Sequence, residues 1–136
     1  MNNAEYNKQQ CFLEALQYDD RFAWVDLGHS LREGEKVTVN GNEYAKYQCF
    51  AEALRFKPSN GATWNALGAT MKERQTVTVG EKSYTKQDCF IEALRHSPQL
   101  GDGWNNLAAT LHRGQKIVVN GQQYTKVQCY AQSKVV

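Results

Sequence analysis

Long apolar runs are missing from this chain of 136 residues, and so is an excess of charge of either sign. A helix that crosses a bilayer needs roughly 18 or more consecutive apolar residues, and the runs here are far shorter. The polar start MNNAEYNKQQ also lacks the apolar segment of a signal peptide. With 16 Lys and Arg against 14 Asp and Glu, the net charge of +2 gives no electrostatic reason to expect nucleic acid or an anionic membrane as partner. We therefore expect a cytoplasmic protein without membrane association.

Closely spaced cysteine pairs are missing as well. The four cysteines, Cys11, Cys49, Cys89 and Cys129, lie 38, 40 and 40 residues apart, so none forms the Cys-x-x-Cys pair of a zinc site. Equivalent positions in stacked repeats lie roughly 8 to 10 Å apart, whereas a disulfide needs Cα atoms within about 7 Å. We predict that these cysteines are reduced and serve as small packing residues, with no metal and no cofactor.

What the chain does contain is a repeat. Tryptophan and tyrosine return at matching positions, Trp24, Trp64 and Trp104 and then Tyr44, Tyr84 and Tyr124. The interval from each Trp to the following Cys is 25 residues in every copy, and only the interval from Cys to the next Trp varies, from 13 to 15. Because the variation falls between units, where a loop absorbs it, one rigid unit is used three times.

Two helices are predicted in each unit. In GATWNALGATMKER, Trp64, Leu67, Gly68 and Met71 stand at i, i+3, i+4 and i+7, which is one stripe of an amphipathic helix. The segment YTKQDCFIEALRHSP predicts a second helix that begins at its Tyr-Thr pair and is stopped by its Ser-Pro pair.

A β-hairpin is predicted between these helices, in KVTVNGNEY, TVTVGEKSY and KIVVNGQQY. Each segment alternates β-branched residues before two turn residues. Asn40-Gly41 and Asn120-Gly121 suit a type I′ turn, whereas Gly80-Glu81 suits type II′. We expect the β-branched faces of neighbouring hairpins to stack at roughly 10 Å and to form a second spine beside the helices.

The order of residues within a unit is specific. It comprises a Trp-x-x-Leu-Gly motif, then an aromatic residue, an Ala-Leu pair and a proline, as in Trp64, Leu67, Gly68, Phe90, Ala93, Leu94 and Pro98. This order resembles the tetratricopeptide repeat over about residues 4–134, in a variant with a β-hairpin inserted between the two helices. The resemblance implies a mainly α fold, an α-solenoid of helical hairpins in one domain over residues 1–136. Its parts would be a lone second helix at 4–18 and repeats at 21–58, 60–98 and 101–134.

The resemblance also implies a binding surface, since the concave face of this family is formed by first-helix side chains that lie off the core stripe. Here that pattern gives a polar strip able to hydrogen-bond an extended peptide, consisting of His29, Arg32, Asn65, Lys72, Asn105, Asn106, His112 and Arg113. The carboxylate clamp of one subclass is not expected, because Val25, Ala66 and Ala109 stand at three of its positions.

Two functions stay open at this point. The first is a noncatalytic scaffold that binds a peptide or helix of a partner protein, and the second is a self-assembling repeat protein that forms homo-oligomers through its ends or hairpins. An enzyme is not expected, because an active site is needed once whereas these residues recur.

Lysine stands where the family has a small residue early in the second helix, at Lys8, Lys46, Lys86 and Lys126. This series could form a positively charged ladder that meets an acidic partner. We expect instead that each lysine stem covers the nearby hairpin or tyrosine while its ammonium stays in water.

Overall fold

The computed structural model of the protein describes residues 10, 13 and 23–135. Over residues 23–135 a helix, a hairpin and a second helix follow one another three times. The elements are α1 (Ala23–Ser30), β1 (Lys36–Val39), β2 (Asn42–Ala45), α2 (Lys46–Phe56), α3 (Gly61–Thr70), β3 (Thr76–Val79), β4 (Lys82–Thr85), α4 (Lys86–His96), α5 (Gly101–Thr110), β5 (Lys116–Val119), β6 (Gln122–Thr125) and α6 (Lys126–Val135). The fold is therefore mainly helical, with short antiparallel strand pairs between helices.

Contacts group the chain into two compact units, Met1–Pro58 and Ser59–Val136. The first unit contains the repeat from α1 to α2, and the second contains the repeats from α3 to α4 and from α5 to α6. The lone helix predicted at 4–18 lies outside the described residues, except that Gln10 and Leu13 are helical. Among the helices that the structure describes, none is long and apolar enough to cross a membrane.

The hairpins have the predicted turns. They form three separate two-stranded antiparallel sheets. Asn40 and Gly41 both have positive φ, 51° and 84°, and Asn120 and Gly121 repeat these values, as a type I′ turn requires. In the middle hairpin Gly80 has a φ of 65° and its turn partner Glu81 is not in the positive-φ region, which agrees with type II′.

The β-branched faces of the first and third hairpins pack against helices. In the second unit Ile117 and Val119 belong to one buried cluster with Leu94, Trp104 and Leu107. In the first unit Val37 and Val39 join the corresponding Trp24 cluster. The expected stacking was therefore wrong for these two faces, because helices of the same unit already cover them. A two-stranded hairpin is marginal alone, and burial against the helices stabilises it.

The recurrent tryptophans and tyrosines contact each other. Their ring centroids lie 4.7 to 4.8 Å apart in an edge-on or tilted arrangement, in the pairs Trp24 with Tyr44, Trp64 with Tyr84, and Trp104 with Tyr124. Each pair joins the first helix of a repeat to the second strand of its own hairpin. This contact explains why both residues recur in every copy.

Glycine lets the two helices of a repeat approach closely. A Cβ on Gly68 would lie 2.7 Å from Cε1 of Phe90, and Gly28 has the same relation to Phe50 at 2.8 Å. Phe90 is accordingly only 1% exposed. The third repeat has Ala108 at this position, and its aromatic residue Tyr130 is 37% exposed.

Two predicted helix boundaries needed correction. The first helix of the middle repeat ends at Thr70 and not at Arg74, although Met71 just beyond it is still buried at 3% exposure. The second helix begins at Lys86, because Tyr84 and Thr85 pair with strand β3. Thr85 is the N-cap: its Oγ1 accepts from the Asp88 N–H at 3.1 Å, and Asp88 Oδ2 accepts from the Thr85 N–H at 3.0 Å.

Replacement of Val77 or Val79 by Ser tests the packing of the hairpin. Both side chains are buried, so each change should lower the free energy of unfolding by about 1 to 3 kcal/mol through lost apolar burial. Urea denaturation followed by tryptophan fluorescence measures the effect. The matched control is Thr78→Ser on the exposed face of the same strand, which should leave stability nearly unchanged. Equal effects of all three changes would contradict the packing described here.

Replacement of Gly68 by Ala tests the close approach of helices α3 and α4. The added methyl group meets the Phe90 ring, so we expect a loss of about 1 to 2 kcal/mol after the better helix propensity of Ala is taken into account. Gly103→Ala is the comparison, because its Cβ would lie 3.1 Å from a terminal methyl of Leu94 and not 2.7 Å from an aromatic ring. Thermal denaturation of both variants should show the larger fall in melting temperature for Gly68→Ala.

Candidate functional site

A groove of about 840 Å³ opens between the two repeats of the unit Ser59–Val136. Helices α3, α4, α5 and α6, the end of β4, and the loops after α3 and α5 all contribute to its lining. The lining residues are Ala69, Glu73, Arg74, Thr85, Lys86, Gln87, Phe90, Asn106, Ala109, Thr110, Leu111, His112, Gln115 and Lys126. Its volume lies within the range of roughly 300 to 1,000 Å³ that is usual for ligand sites.

Small side chains keep the groove open on the first-helix side. Ala69 of α3 and Ala109 of α5 occupy equivalent positions in their repeats, and both are exposed. Core residues on the opposite stripe, such as Leu67 and Leu107, are fully buried. The two helices therefore have one face in the core and another that lines the groove.

Amide and hydroxyl groups form a network across the groove. Gln87 of α4 donates from Nε2 to Thr110 Oγ1 at 3.1 Å, and Gln115 Nε2 donates to Gln87 Oε1 at 3.3 Å. Asn106 of α5 donates from Nδ2 to Asn65 Oδ1 of α3 at 3.0 Å. These bonds join the two repeats and hold the amide groups in fixed orientations.

The recurrent lysines bind main-chain carbonyl groups. Lys46 donates from Nζ to Leu31 O at 2.9 Å, and Lys86 donates to Met71 O at 2.8 Å. Met71 is the C-cap of α3, so the ammonium satisfies a carbonyl at the negative end of the helix dipole. The expectation that these ammonium groups stay in water was wrong for Lys46 and Lys86, because each helix ends without another donor for that carbonyl.

Lys126, the third described member of the series, differs from the other two. It is half-buried and lines the groove beside Leu111, the residue equivalent to Leu31 and Met71. Within the part of the chain that the structure describes, its ammonium forms no hydrogen bond that corresponds to those of Lys46 and Lys86. Lys8 lies outside the described residues.

The structure brings together some of the residues predicted for the binding surface. Asn106 and His112 line the groove, and Asn65 is linked to it through its bond with Asn106. Lys72, Asn105 and Arg113 are exposed in the same unit but do not line this groove.

The remaining predicted residues, His29 and Arg32, belong to the unit Met1–Pro58. Both are exposed. The His29 ring lies edge-on to the Phe50 ring, with centroids 4.9 Å apart. The Arg32 main-chain N–H donates to Glu35 Oε1 at 2.7 Å. His29 therefore has a packing role within its own repeat.

Sequence reasoning missed the contribution of the second helices and loops, above all Gln87, Arg74 and Gln115. The repeat pattern could have identified Gln115, because Glu35 and Gln75 stand at the same position of the other repeats. Each of the three side chains accepts from the main-chain N–H three residues earlier, at 2.7 to 3.1 Å. The repeat pattern could not have identified Gln87, because Tyr47 and Val127 stand at its position in the other repeats.

The described cysteines are packing residues, as predicted. Cys49, Cys89 and Cys129 are free and fully buried, and Cys11 lies outside the described residues. Burial raises the pKa of Cys49 and of Cys89 to about 12, helped by nearby carboxylates, and raises the pKa of Cys129 to about 11. The Cys89 thiol faces Met71 Sδ at 3.6 Å. In the described ranges, no group of three or more His, Cys, Asp or Glu side chains is arranged to hold a metal ion.

Neither a protein-family model, nor a curated protein, nor a solved structure matches this chain. The resemblance to the tetratricopeptide repeat therefore rests on the residue pattern given above. The structure adds that a helix, a hairpin and a second helix follow one another in three equivalent repeats.

Replacement of Lys86 by Met tests the lysine cap of α3. Loss of its bond to Met71 O should lower the free energy of unfolding by about 1.5 kcal/mol, the lower end for a hydrogen bond to a charged group because the side chain is only half-buried. The matched control is Lys126→Met, which removes the equivalent charge without removing a carbonyl bond. Urea denaturation of both variants should show the larger loss for Lys86→Met, and an equal loss would contradict a capping role.

Alkylation tests the environment of the three described cysteines. At pH 8 a thiol with a pKa of about 12 is ionised in roughly one molecule in ten thousand, so iodoacetamide should not label Cys49 or Cys89 in the native protein. Peptide mass spectrometry reports each cysteine separately, and the same reaction in guanidinium serves as the control. Rapid native labelling of either residue would contradict the buried positions.

Proposed function

We propose that the protein is a noncatalytic scaffold that binds an extended peptide or a helix of a partner protein. The observation that carries this proposal is the groove between α3 and α5, where exposed Ala69 and Ala109 leave space beside the amide groups of Asn106 and Gln87. An amide side chain offers both donors and an acceptor, which suits it to hydrogen-bond a peptide main chain.

The family resemblance supports the same function. We propose that the chain is a tetratricopeptide-like α-solenoid of the cytoplasm, with a hairpin inserted in each repeat. In such proteins the first helices form the concave binding face. Helices α3 and α5 are the first helices of their repeats, and Ala69, Asn106 and Ala109 extend from them into the groove.

A noncatalytic function is supported by the chemistry of the recurrent residues. The described thiols keep their protons well above neutral pH, so they are poor nucleophiles. The described Trp and Tyr pairs, the glycines Gly28 and Gly68, and the lysines Lys46 and Lys86 have structural contacts within their repeats. Their recurrence is therefore explained by packing.

Selection from a phage-displayed library of random peptides tests the proposal. The blocked variant carries Ala69→Trp and Ala109→Trp, which fill the groove from two exposed positions and leave the core unchanged. The matched control is Ala62→Trp, at an exposed position of α3 that does not line the groove. We expect peptides that bind the wild type and the Ala62→Trp control but bind the blocked variant at least tenfold more weakly by calorimetry. Failure to select any peptide, or equal binding by the blocked variant, would overturn the proposal.

Self-assembly is the second candidate, and the last helix favours it. Helix α6 exposes Val127 and Val135, each 76% accessible, together with Tyr130 at 37%. The residues equivalent to Tyr130 in the other repeats, Phe50 and Phe90, are buried. An apolar face of this kind can pair with another copy of the chain.

Light scattering coupled to size exclusion, over a wide range of concentration, distinguishes the two candidates. A constant mass near 15.5 kDa supports the peptide scaffold and excludes self-assembly. A mass that grows with concentration, and returns to the monomer value in a Val127→Lys variant, supports self-assembly through α6. The exposed Lys134→Gln change serves as the control on the same helix.

A further inference from the structure

The groove between the two repeats of Ser59–Val136 is unevenly charged. Arg74, Lys86 and Lys126 contribute three cationic side chains to its lining, and Glu73 contributes the one carboxylate. The chain as a whole is nearly balanced, with a net charge of +2. Positive charge is thus concentrated where the amide groups lie, and this concentration raises the local potential for an anionic ligand.

Lys126 is the cation most available to a ligand. Lys86 already donates to Met71 O and lies with Nζ 5.8 Å from the centre of the Phe90 ring. For Lys126 no corresponding carbonyl bond exists in the described part of the chain, although the side chain is half-buried at the equivalent position. An ammonium that is partly removed from water and lacks a strong acceptor favours an approaching carboxylate.

Arg74 adds a second donor of different geometry. It is exposed in the loop after α3, beside Glu73, and it lines the same groove. A guanidinium presents a planar pair of donors that fits a carboxylate with two bonds.

We propose that the groove binds an acidic segment of a partner protein, whose Asp or Glu side chains pair with Lys126 and Arg74. This proposal rests on the proposed function and specifies the chemistry of its ligand. The Asn106 amide and the lone pair of Gln87 Oε1 that does not accept from Gln115 bind the main chain of the segment, and the cations select its side chains. Charge complementarity therefore determines which peptide binds.

Nucleic acid fits the same groove less well. Proteins that bind single strands place exposed aromatic rings against the bases. Among the described lining residues the phenyl ring of Phe90 is 1% exposed and packs on Gly68, so the imidazole of His112 is the one exposed ring that a base could stack on. The amide groups and the uneven charge thus favour an acidic peptide over an oligonucleotide.

The composition of peptides selected from the same phage-displayed library tests the inference directly. We expect Asp and Glu to be enriched among peptides that the wild type selects. This enrichment should disappear when the protein used for selection carries Lys126→Gln and Arg74→Gln. The matched control bait carries Lys134→Gln, which removes an equal charge from an exposed position of α6 outside the groove.

Calorimetry with the most enriched peptide measures the size of the effect. Each of Lys126→Gln and Arg74→Gln should weaken binding by about fivefold, which corresponds to roughly 1 kcal/mol, the upper end for exposed ion pairs. The same peptide with Gln in place of every Glu should bind the wild type more weakly and lose its dependence on salt. Lys134→Gln should leave the affinity unchanged.

Three outcomes separate this inference from the proposed function. Groove-dependent peptides without acidic enrichment would overturn the inference alone. Absence of groove-dependent peptides would overturn both. Binding of a short oligothymidylate at physiological salt, weakened by Lys126→Gln but not by Lys134→Gln, together with no acidic enrichment, would assign the groove to nucleic acid and overturn the acidic segment.

Discussion

The structure of each repeat depends on the packing of one tryptophan between a hairpin and two helices. Trp104 contacts Tyr124 of its own hairpin and shares a buried cluster with Leu94 and Cys129. An indole buries a large apolar area, so this contact fixes the hairpin to the helices. A hairpin of two four-residue strands would not be stable alone. The inserted hairpin is thereby a part of the core.

That packing also determines where the second helix begins and where its first lysine lies. Strand β4 leads directly into α4, so Lys86 stands at the first position after the hairpin. From there its side chain reaches the carbonyl that ends α3. A small residue at this position would leave that carbonyl without a donor. Near the hairpin a long side chain thus joins the two helices, whereas Gly68 lets them approach closely at Phe90.

The groove arises where two such repeats adjoin in Ser59–Val136. Small exposed residues on α3 and α5 leave the space, and the amide network of Gln87, Thr110 and Gln115 holds its wall. Lys126, the last lysine of the series, supplies a cation that lacks the carbonyl bond of Lys46 and Lys86 in the described part of the chain. The third copy also differs from the copies before it at Val127 and at the exposed Tyr130.

Local periodicity, turn glycines and equal spacing were enough to predict the order of elements, the turn types and the buried cysteines. Of the residues predicted for a first-helix binding face, Asn106 lies on α5 and His112 in the loop after it, and both line the groove. Only the tertiary structure showed the packing of the hairpin against helices, the acceptors of Lys46 and Lys86, and the contribution of Gln87. These contacts join residues from different elements, and no pattern within one element specifies the partner that its side chains meet.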